Sequence, residues 1–171
     1  ELTKKFGKRF LNYRKNYTSV IKDFGHKLFF DYPLTINLEL VNRCNLECVM
    51  CHQGYRNDAK QFSLNEEVLD KIFADFKKNQ LSALMLTISE PLLFKKIGNV
   101  LDRAKKAEIM DVFLFTNGAL LDENKSKMIL ESSVTRLFFS LDAATQGTYD
   151  NVRVPVSKRL LKENRLNYVE N

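Results

Sequence analysis

Four short apolar runs, each followed by a stretch in which apolar residues recur every three or four positions, restrict this chain more than any other feature does. After Pro33, Leu34, Ile36, Leu38 and Leu40 alternate with Thr35, Asn37 and Glu39, which is the period of a strand over residues 34–41. Ala83 to Ile88 is almost wholly apolar, Val112 to Phe115 wholly so, and Arg136 to Leu141 supplies a fourth run. Between them, Ser63-Leu-Asn-Glu66 reads as a capping box, and Val68, Leu69, Ile72, Phe73 and Phe76 continue it as an amphipathic helix to about Asn79. Ile97, Val100, Leu101, Ala104 and Ala107 mark a second helix, and Asp122 is placed to cap a third. Strands alternating with helices predict an α/β fold with a parallel sheet, whose chemistry belongs at the carboxyl ends of the strands.

Those ends carry the residues that matter. The first run leads into Cys44-Asn-Leu-Glu-Cys48-Val-Met-Cys51, which holds all three cysteines of the chain. The second leads into Ser89-Glu90-Pro91, the third into Thr116-Asn117-Gly118, and the fourth contains Ser140 and leads into Asp142-Ala143. Taken singly, each is also what an ordinary βα turn uses, because Gly, Asn, Asp and Ser suit turns. The cysteines are harder to set aside, since random scatter would cluster them this tightly on the order of half a percent of the time. Four readings compete: a disulfide with an odd thiol left over, buried structural cysteines on one helix face, zinc with His52 or His26 as fourth ligand, and an iron–sulfur cluster. Three thiolates for four irons would leave one iron open to a small molecule.

The run Asn42-Arg43-Cys44-Asn45-Leu46-Glu47-Cys48-Val49-Met50-Cys51 resembles the signature loop of radical S-adenosylmethionine (radical SAM) enzymes, with Met50 in the bulky slot before the third cysteine. The resemblance extends from about Pro33 to Arg153. It implies the first four βα units of a partial (β/α)6 TIM-like barrel, with Cys44, Cys48 and Cys51 holding a [4Fe-4S] cluster. Leu86-Thr87-Ile88-Ser89-Glu90-Pro91 looks like the family's glycine-glycine-glutamate-proline segment, so Glu90 would bind the amino group of S-adenosylmethionine; Ile88 and Ser89 stand where glycines are usual. Residues 138–145, with Tyr149-Asp-Asn-Val-Arg153, are similar to the fourth-strand region of the branch holding the molybdenum-cofactor cyclases and the enzymes with a C-terminal auxiliary-cluster (SPASM/twitch) domain. By that likeness Ser140 and Asp142 would face the cofactor and Arg153 would pair with its carboxylate, while Asn117 lies near the site without a stated role. The implied activity is reductive cleavage of S-adenosylmethionine to a 5′-deoxyadenosyl radical that takes hydrogen from a substrate, which is a peptide, carbohydrate or small metabolite. A flavodoxin or ferredoxin would be the electron donor. A zinc-stabilised binding module and a degenerate relative that no longer cleaves the cofactor are the alternatives.

Charge marks off the N-terminus. Residues 1–30 hold eight Lys or Arg against two acids, whereas residues 31–171 balance at nineteen of each. Within that arm Phe6, Phe10, Tyr13, Tyr17, Val20, Ile21 and Phe24 recur at helical spacing, giving one or two amphipathic helices with a lysine-rich face. Such a helix either lays its aromatic face on the domain or meets a membrane surface or anionic partner. The division expected is therefore a basic arm, residues 1–32, and a core domain, residues 33–171, which breaks off inside a helical pattern over Ser157–Val169. No nucleic-acid motif and no apolar run of transmembrane length is present, and a cytoplasmic protein is expected.

Overall fold

The structure is a computed structural model and describes residues 1–22, 30–52 and 61–155. Its centre is a four-stranded parallel sheet in the order β1 (Thr35–Leu38), β2 (Ala83–Leu86), β3 (Asp111–Thr116) and β4 (Arg136–Phe139). Thr35 pairs with Ala83, Ala83 with Asp111, and Phe113 with Arg136, so each strand lies beside its neighbour in sequence. Three helices form the crossovers: α2 (Glu66–Lys78), α3 (Ile97–Lys106) and α4 (Glu123–Glu131). Because side chains alternate along a strand, Leu38, Leu84, Leu86, Val112 and Leu114 share one face. There they pack with Leu69, Phe73 and Phe76 of α2, Val100, Leu101 and Ala104 of α3, and Ile129 of α4.

The other face receives the N-terminal arm. Helix α1 (Leu2–Lys22), interrupted by a kink at Gly7, where φ is 54°, buries Tyr13 among Ala83, Met110 and Phe113, with Phe6, Phe10 and Tyr17 alongside. The Tyr13 hydroxyl donates to Asp111 at 3.2 Å, and the same fully buried carboxylate accepts from Thr135 at 2.5 Å and Arg136 at 3.2 Å. Arg9 donates to the carbonyls of Gln80 and Glu108, each at 3.2 Å. Those two residues, with φ of 53° and 55°, close α2 and α3 in the left-handed conformation, so one guanidinium meets the negative ends of two helices. The aromatic stripe of the arm thus covers the amino-terminal end of the sheet's inner face, while Val20 and Ile21 stay exposed. Phe24 lies outside the described residues, as do His26 and the helical pattern over Ser157–Val169.

Several sequence boundaries shift. The cap of α2 is Asn65, whose side chain accepts from the Val68 N–H at 2.9 Å; Ser63 instead bridges to Val41 and accepts from Arg43, and Glu66 pairs with Lys96 and Arg103. Asn65 wins because its carboxamide sits three residues before Val68, the reach an N-cap needs. Strand β2 stops at Leu86 instead of Ile88, since Ile88 takes a φ of 84° that no strand continues through. Strands β1 and β4 end before Val41 and Leu141. A fifth helix, α5 (Gln146–Val152), capped by Thr145, follows β4.

Candidate functional site

All of the strands point their carboxyl ends at one cavity of about 410 Å³. Cys44, Cys48, Met50, Cys51, Glu90, Asn117, Ser140, Asp142 and Arg153 line it together. They come from the segments that follow the four strands and from the end of α5.

The cysteine loop follows β1 and is tied down on two sides. Within it, the Leu46 N–H donates to Cys44 Sγ at 3.4 Å and the Cys51 N–H closes a turn on the Cys48 carbonyl at 2.9 Å. From the end of β3, Asn117 Nδ2 donates to Asn45 Oδ1 at 2.9 Å and lies 3.7 Å from Cys44 Sγ. From beyond α5, the Val154 and Val152 carbonyls accept from the Glu47 and Val49 N–H groups. Met50 sits on the exposed outer turn. Burial pushes the thiols of Cys44 and Cys48 above the ordinary cysteine value, with the Arg153 guanidinium opposing the rise at Cys48.

Glu90 is the buried anion of the site, 2% exposed. It caps the short 3-10 turn Pro91–Leu93 by accepting from the Leu92 N–H at 3.1 Å. Its Oε1 also accepts from the Thr116 hydroxyl at 2.8 Å, and Oε2 accepts from the Asn117 N–H at 2.9 Å. A carboxylate offers about four lone-pair sites, so three donors leave one direction on Oε2 for a donor in the cavity. Among the described residues no Lys or Arg forms an ion pair with it. Arg153, expected to meet a carboxylate, pairs here with Asp142. Ser140 continues β4 through its N–H to the Thr116 carbonyl at 2.8 Å, which fixes the turn carrying Asp142.

The donor set can be tested against what it would hold. A single zinc ion, with Zn–S near 2.3 Å, needs its sulfurs gathered within about 4 Å of one another. Among the described residues no group of three or more His, Cys, Asp or Glu side chains is so gathered. The three thiols line one cavity of about 410 Å³, which suits a body larger than one ion with thiolates at separate corners. Glu90, with a lone-pair direction left over, lines the same cavity and suits a cationic small molecule. The residues present therefore fit a cubane cluster and S-adenosylmethionine.

Thr116 and Asn45, which the sequence places at the rim and in the cysteine loop without a role, gain one here: Thr116 is 2% exposed and hydrogen-bonded to Glu90, and Asn45 accepts from Asn117.

A parallel α/β sheet that presents three cysteines and a buried glutamate at its carboxyl rim defines a cofactor-dependent enzyme core built on a barrel-like fold. The profile of the Radical SAM superfamily matches residues 38–169, and the chain belongs to that family, whose members are enzymes using a [4Fe-4S] cluster and S-adenosylmethionine. A probable GTP 3′,8-cyclase of Methanocaldococcus jannaschii is 28% identical over 119 residues, covering 69% of this chain and 39% of the relative. The GTP 3′,8-cyclase of Limosilactobacillus fermentum is 28% identical over 120 residues, covering 68% and 36%. The chain thus spans less than half the length of the curated relatives it matches. Among solved structures, Streptococcus suis SuiB bound to S-adenosylmethionine aligns with a TM-score of 0.65 at 18% identity over 89% of this chain and 34% of its own. BtrN in complex with S-adenosylmethionine and 2-DOIA aligns with a TM-score of 0.59 at 17% identity, covering 74% and 52%. These likenesses establish the fold as the partial TIM-like barrel of the family.

Proposed function

We propose that this chain carries the radical-generating centre of a radical SAM enzyme, with Cys44, Cys48 and Cys51 as the cluster ligands. The observation that carries the reading is the convergence of these three thiols with Glu90, Asn117, Ser140, Asp142 and Arg153 on one cavity. Cys44, Cys48 and Cys51 would hold the cluster and Glu90 would meet S-adenosylmethionine, and the pair, when bound, would supply the family's chemistry, reductive cleavage of S-adenosylmethionine to methionine and a 5′-deoxyadenosyl radical.

The chain's own residues bind and orient. Glu90 offers its remaining lone-pair direction to the ammonium of S-adenosylmethionine, a charge-assisted contact strengthened by burial. Its three internal donors hold the carboxylate still, so little freedom is lost on binding. Arg153 and Asp142 border the same cavity as a pair of opposite charge, and Ser140 adds a hydroxyl. Met50 and Ile88 add apolar surface to the cavity lining.

The substrate belongs to one of three classes, a peptide, a carbohydrate or a small metabolite, and the electron donor is a flavodoxin- or ferredoxin-type protein. With its aromatic stripe used on the sheet, α1 keeps its lysine side for any anionic partner or membrane surface. Among the described residues no helix is long and apolar enough to cross a membrane. We place the protein in the cytoplasm, where thiols stay reduced.

Anaerobic reconstitution of the full-length protein tests this reading. Iron, sulfide and zinc are measured, the sample is reduced with dithionite in the presence of S-adenosylmethionine, and 5′-deoxyadenosine is assayed. The expected result is about four irons and four sulfides per site with cofactor cleavage, lost in Cys48→Ala. Zinc without iron would sink the proposal, and a cluster without cleavage would mark a degenerate relative.

A further inference from the structure

The last residue of α5 and the residues that follow it run antiparallel to the cysteine loop. Glu47 N–H donates to the Val154 carbonyl at 2.7 Å, Val49 N–H donates to the Val152 carbonyl at 3.0 Å, and Leu46 bridges Pro155. These contacts fix the register: Glu47 stands opposite Val154 and Val49 opposite Val152. Cys48 therefore stands opposite Arg153, in a pair whose own backbone groups are not bonded to each other. The two residues line the same cavity. Arg153 is held there firmly. Its side chain is 12% exposed, one nitrogen pairs with Asp142, and its Nε is buried without a hydrogen-bond acceptor.

We propose that Arg153 is a positioning residue for Cys48, fixing its sulfur on the cavity wall and offsetting the thiolate charge so that the metal centre accepts an electron more readily. The inference rests on the reading that Cys48 ligates an iron–sulfur cluster. Its physics is general. Reducing a cluster adds one negative charge, and potentials of such centres respond to nearby charge and to hydrogen bonds at the ligand sulfurs. A cation paired across the ladder from a ligand favours the reduced form. Asp142, paired with the same guanidinium, works in the opposite sense. This role is separate from binding the carboxylate of S-adenosylmethionine.

The test uses the full-length protein reconstituted anaerobically, with Arg153→Gln, Arg153→Lys and Asp142→Asn beside wild type. Iron and sulfide are counted and folding is checked by melting. The reduction potential is then read by electron paramagnetic resonance during a reductive titration, first without and then with S-adenosylmethionine. The expected result without cofactor is a more negative potential in Arg153→Gln, a smaller shift the same way in Arg153→Lys, and a more positive potential in Asp142→Asn. Equal potentials for wild type and Arg153→Gln in the cofactor-free protein overturn the proposal. So does a Gln variant altered only in its affinity for S-adenosylmethionine, which would assign Arg153 to the cofactor. If Arg153→Gln does not fold, unchanged potentials in the other two variants overturn it. A wild-type protein that assembles no cluster removes the underlying reading as well, and the iron assay tells that failure apart.

Discussion

Asn117 holds Cys44 from across the sheet: its side-chain amide lies 3.7 Å from the Cys44 sulfur, while its backbone N–H donates to Glu90 at 2.9 Å. The end of β3 thus sets the spacing between the cysteine loop and the buried carboxylate. Asn117→Ala keeps the backbone contact to Glu90 and removes the side-chain tie to Cys44 and Asn45. We expect a stability loss of about 1 kcal/mol. Amide hydrogen exchange should quicken at Leu46 and Cys51 and stay unchanged in β2; uniform change across the sheet would contradict the assignment.

Glu90→Gln tests the buried carboxylate. A carboxamide has one acceptor oxygen where the carboxylate has two, so one of the donors from Leu92, Thr116 or Asn117 must face an NH2 group. Leaving that donor unsatisfied costs about 1–3 kcal/mol, measurable by urea denaturation. Thr116→Val removes a donor to Glu90 and the acceptor of the Gly118 N–H together, so it too should lower the urea midpoint, and Thr116→Ser, which keeps both contacts, should lower it less.

Ile88 occupies a position built for glycine. Its φ of 84° is a region that a β-branched residue enters only under strain, of order 1–3 kcal/mol. Glycine relieves that strain but adds freedom to the unfolded chain, worth about 0.5–1 kcal/mol. Ile88→Gly should therefore stabilise by about 1 kcal/mol, read from the shift in denaturation midpoint. Ile88→Val, equally branched, should give no gain.

Alkaline stability should fall through two tyrosines. Tyr13, buried beside Asp111, and Tyr32, donating to Asp75, both have pKa values pushed up to about 12, first by burial and then by the neighbouring carboxylate. The folded chain keeps these protons where the unfolded chain, near 10, has lost them. Their contribution is whole below pH 10 and is lost as pH rises toward 12. Urea midpoints measured from pH 8 to 11.5 should decline above 10, and the decline should flatten in the Tyr13→Phe, Tyr32→Phe double variant.

Sequence patterning was most informative where one force acts alone. The apolar runs located all four strands, since burial on both faces leaves few polar residues inside β2 and β3, and the rim residues followed from the strand ends. Boundaries shifted wherever a local hydrogen bond decided between neighbours, as at Asn65 against Ser63. The arm's aromatic period was legible, but its destination was not: only the register of β2 and β3 shows that Ala83 and Phe113 point away from the helices and leave a floor for Tyr13. Nor does composition reveal that Arg153 lies opposite Cys48, because that pairing joins residues about 100 positions apart in a ladder too short to carry a strand pattern.

That ladder sets an order of events during synthesis. At translation rates of about 5–20 residues per second, Cys51 precedes Arg153 out of the ribosome by roughly 5–20 s. Through that interval the three thiols stand on a loop without Val152–Pro155 to hold it, and for roughly the first two thirds of it without Asn117 as well. A nascent chain stalled before Arg153 would present the cysteines unclamped and open to oxidation, so the loop reaches its final form only after the fifth helix has emerged.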